Sequence, residues 1–179
     1  MGRKEEMFQY AREKLTPYIS ERANLLRKDC AAYLEMKREY HRIVSDLLQT
    51  AQKRQAAGTL GQIHYFSIFY LQSSAVTQSY DFALSLTNER YCLDQNGLLC
   101  FWCPQRLFQA VEEDLSFFEK DARQMWIRIR PYELEEIRRA YINNLYQLAG
   151  FFFGEESLDA AVLGGIARLS QPGFDHYYT

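Results

Sequence analysis

An α+β fold, mostly helical, is what this 179-residue sequence predicts, and three observations carry the prediction. Apolar residues recur every three or four positions from residue 4 to about 57, and again from 104 onward, the period of a helix with one buried face. Between about 62 and 102 that period gives way to alternation and to aromatic, β-prone runs. Gly and Pro number only 9 and 4, and no linker-like stretch or fixed-period repeat divides the chain. One domain over 1–179 is therefore expected: a long helical arm (1–57), antiparallel strands (58–103) and a helical part (104–179) whose helices pack on the sheet.

Taken in order, residues 4–15 form a short helix with Met7, Tyr10, Ala11 and Leu15 on one face. Thr16-Pro17 reads as the N-cap and first position of a second helix. From Ile19 the stripe runs through Ala23, Leu26, Cys30, Tyr33/Leu34, Tyr40, Val44, Leu47/Leu48 and Ala51 to a stop at Gly58. A continuous helix of that length would span about 60 Å. It would either kink or lay part of its face on another chain. Ile63–Leu71 is aromatic-rich without a polar face, which fits a central strand. Val76–Thr87 alternates as a half-buried strand. Tyr91–Leu93 and Leu98–Trp102 flank Asp94-Gln95-Asn96-Gly97, a hairpin signal. Three or four strands result. Pro104 opens a helix with a stripe from Leu107/Phe108 to Met125/Trp126, broken at Arg130-Pro131. A second helix carries Leu134, Ile137, Tyr141, Leu145 and Leu148 and stops at Gly150; a third covers about 156–169, before Gln171-Pro172-Gly173.

Composition narrows the class. With 47% apolar and 25% charged residues, the chain has an ordinary globular balance and is not a disordered one. Its charged start, Arg3-Lys4-Glu5-Glu6, leads into no apolar signal core, and Ile63–Leu71 is too short to cross a bilayer. A soluble, cytoplasmic protein with no membrane partner is expected.

Chemistry-bearing motifs are sparse. Cys100-Phe101-Trp102-Cys103 is a CxxC at a strand-to-helix junction, a spacing that lets two thiolates face one metal or each other. Cys92 could add a third thiol: a three-residue hairpin loop would pair Cys92 with Cys100, whereas a two-residue loop would put them on opposite faces. No second CxxC or close His pair completes a zinc set, so Cys92, Cys100 and Cys103 read as packing thiols first, and no cofactor is expected. His41, His64 and His176 lack HxxxH spacing; His41 reads as helix surface and His64 as a hydrogen-bonded core residue. The acidic runs Glu112-Glu113-Asp114 and Glu133–Glu136 fall in the first turns of helices, where they suit the dipole and solubility. Gly164-Gly165 reads as close helix packing, and no phosphate loop or nucleophile elbow occurs.

Charge and aromaticity remain. Residues 1–57 hold 12 basic and 8 acidic side chains, net +4, against 9 and 15 in the rest, net −6. A basic arm on an acidic body fits nucleic-acid contact, but here the bases are interleaved with acids, so attraction to a second copy competes. Aromatic residues reach 15%. Phe82, Phe108, Phe118 and Trp126 fall on core stripes, whereas Tyr10, Tyr33, Tyr40, Phe151, Phe152, Phe153, Phe174, Tyr177 and Tyr178 fall where one domain has difficulty hiding them all. Of these, Tyr33, Tyr40, Phe151–Phe153, Tyr177 and Tyr178 are the interface candidates, aromatics being common interface anchors. The leading expectation is an interaction or assembly module, more a binder than an enzyme, self-associating through the long helix and aromatic surface. The alternatives are a nucleic-acid-associated regulator using the basic arm, and a small metal or redox protein built on Cys100 and Cys103.

Overall fold

The computed structural model describes residues 2–126 and 128–163, except for the side chains of Cys92 and 157–163. The readings placed on Gly164-Gly165, Phe174, His176, Tyr177 and Tyr178 lie outside these residues. Among the described residues the chain forms six helices, α1 (Arg3–Leu25), α2 (Ala31–Ala56), α3 (Gln72–Thr77), α4 (Gln105–Phe108), α5 (Val111–Met125) and α6 (Pro131–Leu163), and three strands, β1 (Tyr65–Tyr70), β2 (Phe82–Thr87) and β3 (Leu98–Trp102). The fold is α+β and mostly helical, with one small antiparallel sheet. Among the described residues the chain gathers by contact into two units, one drawn from 1–37 and 104–154, the other from 38–103 and from 155 onward.

The first unit is all helical. Met7, Ala11 and Leu15, one helical turn apart, are buried on α1, which packs against α4 and α5. Tyr10 meets Trp126 edge-on at 4.9 Å, Tyr33 meets Phe152 at 5.5 Å and Phe108 meets Tyr146 at 5.4 Å. Several boundaries differ from those the sequence predicts. Helix α1 runs straight through Thr16-Pro17, with the Thr16 hydroxyl donating to the Arg12 carbonyl at 2.6 Å. Proline inside a helix costs about 3 kcal/mol, yet it sits on the exposed side, and breaking there would split the buried stripe that continues to Arg22. The interruption comes later, at 26–30, where the Cys30 amide donates to the Arg27 carbonyl and the Cys30 carbonyl accepts the first bond of α2. Leu26, Cys30 and Tyr33 still stand four and three positions apart in sequence, so the apolar spacing passes over the turn unchanged. The long arm is thus two helices. Most of their apolar stripe, Met7, Ala11 and Leu15 on α1 and Tyr33, Tyr40, Val44, Leu47, Leu48 and Ala51 on α2, is buried within this chain, whereas Leu34 is 46% exposed.

Farther on, α4 and α5 divide the predicted helix from 104 to 126 in two. The stop expected at Gly150 is absent: α6 continues through Gly150 and Gly154 to Leu163. Each glycine costs about 1 kcal/mol relative to Ala in a helix, while burying Phe152 and Phe153 as helical residues stabilises by about 1.5–3 kcal/mol each. Burial wins.

The second unit holds the sheet, in the order β1-β2-β3. Strand β2 is central and β1 is an edge, correcting the central place expected for Ile63–Leu71. Only the later half of Val76–Thr87 is strand. Its first residues close helix α3, because the buried Ser74 hydroxyl donates to the Leu71 carbonyl at 2.6 Å and the Asp81 carbonyl at 3.2 Å, holding a local turn. Tyr91–Leu93 forms a single 3₁₀ turn rather than a hairpin strand, with Tyr91 at φ 51°. Strand β3 pairs with β2 instead, setting Cys100 opposite Leu84 rather than Cys92. Asp94-Gln95-Asn96-Gly97 still marks a turn: the Asp94 carboxylate accepts from the amides of Asn88 at 2.8 Å and Asn96 at 2.9 Å.

Candidate functional site

Strand alternation assigns every sheet residue to one of two faces. On one face lie Phe82, Leu84 and Leu86 of β2 with Leu98 and Trp102 of β3, all buried. Helix α2 lies on this side: Tyr40 packs against Trp102 at 5.4 Å, and the Trp102 indole donates to Glu39 at 3.4 Å. The register then fixes the other face as three rows, Phe69–Ala83–Phe101, Ser67–Ser85–Leu99 and Tyr65–Thr87. This face lies open. Tyr65 is 45% exposed, Phe69 41%, and Leu99 and Phe101 56% each. Tyr91 adds a ring at the β1 side, 5.3 Å from Tyr65 and 6.3 Å from Phe69.

The relief follows from side-chain size. Large residues on β1 and β3 form two ridges flanking the small Ala83, Ser85 and Thr87 of β2, of which Ala83 is only 4% and Ser85 8% exposed. No strand residue is charged, and residues 58–103 hold a single base, Arg90, against Asp81, Glu89 and Asp94. Contiguous exposed apolar surface of this kind is a mark of binding surfaces on folded proteins.

The interface candidates named from sequence fall elsewhere. Tyr33, Tyr40, Phe152 and Phe153 are buried, between 0% and 5% exposed, because helix periodicity turns them into the two cores. Phe151, at 71%, is exposed, and Tyr177 and Tyr178 lie outside the described residues. The aromatics that do reach solvent on the sheet lie in stretches the sequence marks only as strands, since pattern alone does not reveal which face α2 covers.

The cysteines disperse. Cys100 sits on the covered sheet face and Cys103 just beyond β3, while Cys92 belongs to the 3₁₀ turn. Burial pushes the Cys103 thiol up to about 12, with Asp81 and Glu39 adding to the effect, and burial also raises Cys100. Both therefore favour the thiol over the thiolate that metal binding and exchange require. Among the described residues no three His, Cys, Asp or Glu side chains gather as a metal set.

Other titratable groups do structural work. His41, expected at the helix surface, is only 20% exposed and lies 2.9 Å from the buried Glu156 carboxylate. His64 is half-buried, its backbone amide bonded to the Thr87 carbonyl at 2.9 Å. The acidic runs are more than solubility features. Asp114 is 5% exposed and accepts hydrogen bonds from the Arg22 guanidinium and, at 2.6 Å, the Tyr141 hydroxyl. Arg22 also donates to the Leu107 carbonyl at 3.0 Å and the Tyr18 carbonyl at 3.1 Å. Burial raises the Asp114 carboxyl against the pull of Arg22 and Tyr141; burial and the Asp114 carboxylate together raise Tyr141. Nothing local announced this cluster, in which Arg22 lies 92 positions before Asp114 and Tyr141 a further 27 beyond it.

Four of the five basic residues of α1 find partners in the same unit. Arg3 pairs with Glu133 at 3.2 Å, Lys4 with Glu136 at 2.8 Å, Lys14 with Asp121 at 2.9 Å, and Arg22 with Asp114. Within the described residues no helix is long and apolar enough to cross a membrane. What fold and surface define together is an α+β protein with one open, uncharged sheet face. Comparison with family models, curated proteins and solved structures finds no match to this chain.

Proposed function

We propose that this chain is a protein-interaction module whose docking surface is the open face of its sheet. The observation that carries this reading is the exposure of Tyr65, Phe69, Leu99 and Phe101 on one charge-free face, while α2 packs on the other. Both outer strands are uncharged edges, and solvent-facing apolar strands invite association unless something covers them. The N-terminal helices are a poorer candidate for the contact, since most of their apolar stripe, Leu34 excepted, is already buried.

An aromatic sheet face can also stack nucleic-acid bases. Charge separates the two readings. Phosphates need nearby cations, and the sheet segment has one base against three acids, while cations of α1 already face carboxylates. The redox or metal reading draws no support from thiols held in the protonated form.

Photocrosslinking in expressing cells tests the proposal. With p-benzoylphenylalanine replacing Phe69 or Phe101, both positions should give the same single adduct, and Leu99→Glu, at a residue 56% exposed on the same face, should abolish it. The same group at Phe117, 55% exposed on α5, should give none. Absence of an adduct from both sheet positions sinks the reading.

A further inference from the structure

We draw no further inference here: the strongest candidate, the open face of the sheet carrying Tyr65, Phe69, Leu99 and Phe101, belongs to the site already described, and nothing in the structure shows what covers it.

Discussion

Asp114 shows how one residue can be placed by local signals and employed by distant ones. Its position in the first turn of α5 suits the helix dipole, but the carboxylate is buried between Arg22 and Tyr141, where it satisfies two donors at once. Removing it leaves a guanidinium out of water without a counter-charge. Asp114→Ala should therefore cost about 3–5 kcal/mol, whereas Tyr141→Phe, which keeps the ion pair, should cost about 1–2 kcal/mol. Urea unfolding of the two variants checks the ranking, and equal losses would contradict it. Asp94 gives a prediction with a pH sign. Backbone amides of Asn88 and Asn96 hold its carboxyl below the ordinary value near 3.8. Its contribution is thus fully present above that value and is lost as pH falls through the lower folded value. The stability gap between wild type and Asp94→Ala should be constant from pH 7 to 5 and close below about pH 4. Asp114, raised by burial, acts in the opposite sense: its linked contribution is present in acid and declines as pH rises through the folded value. For Cys103, a thiol at about 12 predicts slow alkylation by iodoacetamide at pH 8, accelerating sharply in denaturant. Equal rates in the two conditions would contradict the burial behind that shift.

At the scale of elements, periodicity located helices well and their ends poorly. The stripe Met7, Ala11, Leu15 was legible because every member faces one buried side. Its continuation through Pro17, and the persistence of α6 through Gly150, were not, since both depend on what lies against the helix. Gly150 tests that account directly. A Cβ there meets nothing within 4 Å, so Gly150→Ala should raise stability by about 0.5–1 kcal/mol, read from the urea midpoint. A loss would mean that α6 bends at this glycine. The strands failed in a different way. Leu98–Trp102 was recognisable as a strand, but its neighbour is β2 rather than the adjacent Tyr91–Leu93. A turn signal such as Asp94–Gly97 marks where the chain reverses without naming the strand it returns to.

For the molecule as a whole, the uneven charge of the sequence has an internal use. Arg3, Lys4, Lys14 and Arg22 of the basic segment meet acids of α5 and α6. These four pairs give part of the charge asymmetry along the chain an internal counterpart. Fluorescence anisotropy with labelled single- and double-stranded oligonucleotides at about 20 mM salt should show no binding at micromolar protein, the condition that most favours phosphate contacts. Binding there would restore the nucleic-acid reading. By itself the sequence determined the α+β class, the order of helical and strand regions, and the stripes that become core, because these rest on periods of two and 3.6 among neighbouring residues. Only the tertiary structure decided that β2 is central, that Asp114 meets Arg22, and that Tyr40 is hidden while Phe101 faces solvent. Alternation gives a strand two faces. Which of them meets water depends on where α2 lies, and that contact joins residues more than sixty positions apart.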